Sequence, residues 1–206
     1  MTENHNRMPL PDLPLLFDFE IVSSENLTYI PMCVRFNLDR CGLHLTLDQW
    51  QALPHADRVA LVQMPLALER AHEETHDGAR ELTQEGAYEA APDGSAPEAV
   101  AQARAARFAA YLRERVSATS TVPLEAQTEL PDLSPSSTSS GAAAWAWPGA
   151  VPSAVLKQCE LHGTPPLSDA AWSRIDPFQR YVLVKLSRRA TPNHDFLPAL
   201  REFCLL

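Results

Sequence analysis

Apolar positions in this chain recur at three- and four-residue spacing over most of its length, the period of helices with one buried face. Pro31, tolerated at a helix start, precedes Val34, Leu38 and Cys41 at that spacing, and Gly42 supplies a left-handed stop. Thr46 with Gln49 reads as a capping box for a short second helix through Leu53. A third runs from about His55 to Met64, with Val59, Leu61 and Val62 inward. Further along, Pro152, Gly163, the N-cap Ser168 and Trp172 set out the same order, and Asp176 with Pro177 opens a helix burying Tyr181, Leu183 and Val184. Asp195 is expected to cap a last helix carrying Phe196, Leu200 and Phe203. Ala-rich Pro97 to Val116 predicts one long helix, with Val100, Ala103, Phe108, Tyr111 and Leu112 along one side. The short stretch from Leu16 to Val22 alternates like a strand.

The two helical stretches are related to each other. A shift of 121 residues places Ile30, Pro31, Val34 and Gly42 on Val151, Pro152, Val155 and Gly163. One extra residue in the Thr164-Pro165-Pro166 turn makes the shift 122. Leu45, Trp50, Arg58, Leu61 and Val62 then meet Leu167, Trp172, Arg180, Leu183 and Val184. Eight identities in 31 pairs exceed the roughly two that unrelated sequence would give, so duplication is the simplest reading. The expected fold is all-α: two related three-helix repeats, 30–65 and 151–188, packed together with a mid-chain helix at 97–117 and a C-terminal helix. Each repeat is too poor in apolar residues to fold well alone, which predicts a shared core.

Charge sharpens this picture. The 206 residues carry a formal net charge of -9 with 45% apolar content. Glu69 to Asp93 hold eight acids against two bases, and Ser120 to Ala150 hold three acids and no base. The remainder is neutral. The second segment includes the Pro/Ser/Thr run Ser134 to Ser140, with almost nothing to bury. The domain reading is therefore a disordered N-terminus at 1–16 and a single helical domain at 17–206, in which repeat 2 extends to 203. An acidic insertion at 72–96 and a flexible Pro/Ser-rich linker at 120–150 interrupt it. A solvated helix continuing through 66–85 is the alternative for the first of these.

Composition also narrows the function classes. There is no apolar run of about eighteen residues for a membrane helix, and the start lacks the basic end and apolar stretch of a secretion signal. Cys33, Cys41, Cys159 and Cys204 are too sparse for a disulfide framework, so a reducing, cytoplasmic setting is expected. Seven glycines and no Gly-rich phosphate motif leave no nucleotide-binding loop. With the folded part near neutrality, a nucleic-acid partner is not expected.

Trp50 and Trp172, equivalent in the two copies, read as structural seals at the junction of three helices. Arg58 and Arg180 are likewise equivalent, with an ion pair to a nearby carboxylate or an anion or partner contact both open. Cys41-x-x-His44 and Cys159-x-x-His162 have the spacing of two-ligand metal clips, the basis of an alternative reading as a metal- or redox-sensing module. The repeat aligns Cys41 with His162 and not with Cys159, which argues against a symmetric site. His55, His72, His76, Glu73 and Glu74 assemble no catalytic frame, and no cofactor is expected. Lys185, Arg188 and Arg189 complement a helix C-terminus, and with Arg201 could form a docking patch for an acidic partner or an anion.

The string Phe17-Asp18-Phe19-Glu20, followed by Ile30-Pro31-Met32-x-Val34-Arg35-Phe36-x-Leu38-Asp39-x-Cys41-Gly42 and Leu45-x-Leu47-x-Gln49-Trp50, resembles the nitrate-reductase-associated protein family (NarM-type). So does the end, Leu183-Val184-Lys185-Leu186-Ser187-Arg188 with Phe196-Leu197-Pro198-Ala199-Leu200 and Glu202-Phe203. The resemblance covers roughly 17–66 and 151–203, about half of the chain, and 66–150 adds nothing to it. It implies a small non-catalytic protein needed for an active assimilatory nitrate reductase, in the assembly or maturation of that enzyme. The implied partner is the reductase or its maturation machinery. The molybdenum cofactor and iron–sulfur cluster belong to the reductase. No catalytic residues carry over. The matched polar residues Arg35, Asp39, Lys185, Ser187 and Arg188 are the expected partner contacts.

Overall fold

Aromatic rings far apart in the chain, Phe17 and Phe19 with Phe178 and Phe203, pack against one another. The computed structural model describes residues 16–21, 25–68, 97–127 and 148–206. In order they form α1 (Asp18–Ile21), a 3-10 turn (Glu25–Leu27), α2 (Met32–Cys41), β1 (Leu43–His44), α3 (Leu47–Ala52), α4 (His55–Gln63), α5 (Pro97–Thr119), β2 (Glu125–Ala126), α6 (Ser153–Leu161), α7 (Asp169–Arg174), α8 (Pro177–Leu186) and α9 (Phe196–Glu202). The fold is all-α, with one small antiparallel pairing of β1 with β2 that sets Leu43 opposite Ala126. The 72–96 insertion, the bulk of the 120–150 linker and the N-terminal 1–15 lie outside the described residues.

Local rules account for the helix ends. The capping box of Thr46 and Gln49 forms as expected, and Asp176 makes a second one with Gln179 ahead of Pro177. Ser168 accepts from the Ala171 N–H. Pro31 and Pro152 sit one place before their helices, at the N-cap. Gly42 and Gly163 end α2 and α6 with φ of 61° and 65°, a backbone state that glycine enters without a Cβ clash. Elements of matching sequence thus carry matching elements, α2–α3–α4 alongside α6–α7–α8. The buried side chains of both segments fall in one contiguous cluster, the shared core the sequence predicts. Trp50 and Trp172 are both completely buried in it.

Rings build the centre of that core. Phe17 stacks on Phe19 and Phe178 at 5.4 and 5.2 Å and meets Phe203 edge-on at 5.1 Å. Phe36 meets Phe178 and Tyr181 edge-on at 5.6 and 5.0 Å. Offset and edge-on contacts of this kind place positive ring edges against negative faces. This is why 17–21 is a helical turn and not the expected strand. As a turn it docks Phe17 and Phe19 on the rings around Phe203. Glu202 then accepts the Asp18 and Phe19 N–H groups at 2.9 and 3.3 Å, satisfying donors a helix start leaves open.

Three further expectations change. The buried stripe of α5 runs through Ala101, Phe108, Ala109, Leu112 and Val116, while Ala103 is exposed and Val100 half-buried. The reason is that α5 packs on α2 and on residues 65–68 rather than around a separate centre. Residues 120–127, expected in the linker, return along α3. The Gln49 side-chain amide donates to the Val122 carbonyl at 3.0 Å, and Gln127 N–H to the Gly42 carbonyl at 2.8 Å. Asp195 makes no side-chain cap on α9, because its backbone is already helical (φ -84°, ψ -11°) and not extended as a capping residue requires.

Phe178→Ala removes the ring joining Phe17, Phe36 and Tyr181 from a site that cannot fully collapse. The expected loss is about 3–5 kcal/mol in urea denaturation of the full chain.

Candidate functional site

The residues expected to meet a partner converge where α2 crosses α8. Arg35 and Asp39 are one turn apart on α2; Tyr181 and Lys185 are one turn apart on α8, and Arg188 follows on the same side just beyond its end. Lys185 Nζ lies 2.6 Å from Asp39 Oδ2, with side-chain exposures of 11% and 17%. The Tyr181 hydroxyl donates to the same carboxylate oxygen at 2.9 Å, and the Lys185 ammonium stands 5.4 Å from the centre of the Tyr181 ring. Tyr181 also belongs to the aromatic core. The polar cluster is therefore seated directly on the aromatic core.

Burial works against the charged state of Lys185 and lowers its pKa, with Asp39 opposing. Burial holds the Tyr181 phenol well above its ordinary range, reinforced by the neighbouring Asp39 charge. Arg35 and Arg188 act on both groups electrostatically and are themselves exposed. Arg35 Nε donates to the Ile30 carbonyl at 2.9 Å. Among the described residues, neither guanidinium has a carboxylate within ion-pair distance. Three cations thus surround a single, already occupied carboxylate.

Ser187 differs from the other four residues. It is buried, and its hydroxyl donates to the Leu183 carbonyl at 2.7 Å, so it closes the end of α8 instead of facing outward. Past it, buried Gln158 organises the loop that follows. Its amide donates to the Arg189 and Thr191 carbonyls, both at 2.9 Å, and its Oε1 accepts the Asn193 N–H at 3.2 Å. Arg188 therefore springs from an anchored loop.

Two positioning residues escaped the sequence reading. One is Tyr181, seen there as core only. The other is Glu20, whose carboxylate accepts the Met32 N–H at 2.8 Å and so caps α2 from outside the helix, since Pro31 offers no side-chain cap. Burial raises the Glu20 pKa to about 7, and the Met32 and Phe17 N–H groups and Arg35 lower it only in part. The signal for Glu20 was present, a carboxylate between the apolar Phe19 and Ile21 and a helix without its own cap.

The other candidates have structural duties. Trp50 Nε1 and Arg58 Nη1 both donate to the Leu27 carbonyl, at 2.8 and 2.9 Å, and Arg180 Nη1 donates to the Ile175 carbonyl at 2.7 Å. Both arginines bond to backbone carbonyls, and Arg180 also interacts electrostatically with Asp176. Cys41 donates its thiol to the Ala105 carbonyl at 3.1 Å, and burial pushes its pKa up to about 11. Cys159 is buried, His44 is exposed, and His162 stacks on Phe196 at 5.7 Å. Among the described residues no three His, Cys, Asp or Glu side chains form a group able to hold a metal, so the two clips do not combine. His55 is exposed at the start of α4, while His72, His76, Glu73 and Glu74 lie outside the described residues.

The family model described as "Conserved nitrate reductase-associated protein" matches residues 16–137 and 96–203 of the chain. The match extends across the middle of the chain, beyond the two blocks on which the sequence resemblance rests. No curated protein and no solved structure matches. No helix among the described residues is long and apolar enough to cross a membrane.

Two predictions follow from this geometry. Asp39→Asn leaves the Lys185 ammonium half-buried against a neutral amide, at a cost of about 2–3 kcal/mol. Adding Lys185→Met restores part of that loss, so a double-mutant cycle by urea denaturation returns a coupling of about 1–3 kcal/mol. For Glu20, the folded pKa of about 7 lies above the ordinary 4.5. Its contribution is complete below the lower value and is lost as pH rises through the higher one. Glu20→Gln keeps an acceptor for Met32 and removes the charge. It should flatten the fall in stability between these values, with the variant up to about 3 kcal/mol more stable than the parent above pH ~8.

Proposed function

The chain belongs to the conserved nitrate reductase-associated protein family, and on that footing we propose that it is a non-catalytic accessory protein of assimilatory nitrate reductase, assisting assembly or maturation of the enzyme by protein–protein contact. The observation that supports this most is the α2–α8 face. Exposed Arg35 and Arg188 flank the half-buried Asp39–Lys185 bridge, and all four residues lie within the family match. A bridge of this kind adds little net stability, because desolvation offsets its Coulomb attraction. Its value is to fix the register of two helices and hold the flanking guanidiniums in place for a partner.

On this reading the partner is the reductase or the machinery that matures it, and the NarM-type members are the relevant subgroup. The molybdenum and iron–sulfur groups stay with the enzyme. We place the protein in the cytoplasm, where its four free cysteines would remain reduced. Ser187 drops out of the contact set, since its hydroxyl is used inside the fold.

The test is a tagged pulldown from nitrate-grown cells, beside complementation of a deletion strain. Arg35→Glu with Arg188→Glu is expected to abolish co-purification of the reductase and to lower its activity. The variant should stay folded by circular dichroism, with a stability loss of no more than about 1–2 kcal/mol, because Arg35 gives up its bond to the Ile30 carbonyl. Unchanged co-purification and unchanged reductase activity would overturn the proposal.

A further inference from the structure

We propose that the α2–α8 face is a receptor for an acidic, extended peptide segment of a partner protein, with Arg35 and Arg188 each taking one carboxylate on either side of the Asp39–Lys185 bridge. The inference rests on the reading that this face docks a partner, and it adds the chemistry of what is docked.

The first argument is charge balance. Asp39 is already bound by Lys185 at 2.6 Å and by the Tyr181 hydroxyl at 2.9 Å, so it neutralises neither arginine further. Glu20 acts on Arg35 from beneath, but it is buried and its carboxyl is committed to the Met32 N–H. Two guanidiniums therefore face solvent with fork geometry suited to carboxylates and no intramolecular carboxylate in reach among the described residues.

The second argument is pre-organisation. Arg35 Nε is tied to the Ile30 carbonyl, and the residue is exposed. Arg188 leaves α8 at the loop held by Gln158 through the Arg189 and Thr191 carbonyls. Anchored bases lose less freedom on binding than flexible surface lysines do.

Magnitude then selects the ligand class. A single exposed charge pair is worth no more than about fivefold in affinity. A small oxyanion contacting one or two exposed guanidiniums would hold weakly, whereas a segment carrying several carboxylates adds such contacts on one chain. Asp39, in between, repels a carboxylate placed opposite it. The face therefore favours acids that straddle a neutral position. Outside its two acidic segments the chain is neutral, so this face lacks the run of cations that a nucleic-acid backbone requires.

The experiment uses the purified full chain and a fluorescent peptide in which Glu alternates with Ser, read by anisotropy, with the Gln counterpart as its neutral control. The Glu peptide is expected to bind and the Gln peptide not. Binding should weaken at least about tenfold in the Arg35→Glu, Arg188→Glu double variant and on raising salt from about 0.05 to about 0.5 M. Arg174→Glu, an exposed reversal on α7, should leave affinity unchanged. Arg35→Gln with Arg188→Gln, shown folded by circular dichroism, should lose binding as well. Equal binding by the double variants, binding of the Gln peptide, tighter binding of a single-stranded oligonucleotide of equal charge, or full displacement by inorganic phosphate at equal charge would each overturn the inference. Peptide binding that persists while the parent fails to co-purify the reductase would sink the partner reading and leave the receptor standing. Loss of reductase from the double variant without any peptide binding would do the reverse.

Discussion

The fold depends on bringing five rings into one layer. Phe36, Phe178 and Tyr181 come from α2 and α8, Phe17 from the residue before α1 and Phe203 from the residue that ends α9, and each lies within 5.6 Å of at least one other. Phe36 and Tyr181 are completely buried and Phe178 and Phe203 nearly so, so the layer withdraws a large apolar area from water. Its geometry also fixes the rest. Once Phe17 lies on Phe203, the N–H groups of α1 come within reach of Glu202, and Glu20 then reaches the open start of α2. The two ends of the chain are joined by this sequence of consequences.

The polar face grows out of the same layer. Tyr181 has its ring in the core and its hydroxyl on Asp39, so aromatic packing determines where that carboxylate can be neutralised. Lys185, one turn along α8, supplies the countercharge. Leaving either partner alone in this half-buried position would be unfavourable, which makes the bridge a device for specifying how α2 crosses α8. Arg35 and Arg188 carry no such structural obligation. Arg35 is tied to the Ile30 carbonyl through Nε alone, and both guanidiniums stay exposed beside the neutralised pair.

Much of the fold was legible in the sequence, and the reason is local. Thr46 with Gln49, Asp176 with Pro177, and the two cap glycines act on backbone groups three or four residues away, so they could be read without knowing the tertiary structure. The all-α class follows from such short-range rules. The failures were equally consistent. Phe17 and Phe19 alternate like a strand yet form a turn, because their partners Phe178 and Phe203 are far along the chain. Ala103 reads as core from spacing but is exposed, because α5 turns a neighbouring stripe towards α2. The Pro-containing segment 120–127 looks like linker, yet Gln49 and Gly42 hold it.

The candidate site divides along the same line. Arg35, Asp39, Lys185 and Arg188 could be named from the sequence, since polar residues at helical spacing within recognisable blocks stand out one by one. That the four form one face could not be read there, nor that Ser187 turns inward or that the cysteine–histidine clips stay apart. The hydrogen bond from Tyr181 to Asp39 spans 142 residues of chain, and that from Asp18 to Glu202 spans 184. The sequence by itself determined the helices, their caps and the kinds of charge available, because those depend on neighbours within a turn. Only the tertiary structure decided which charges meet, because the free energy of burying the aromatic layer sets the crossing of α2 and α8, and no local pattern encodes that crossing.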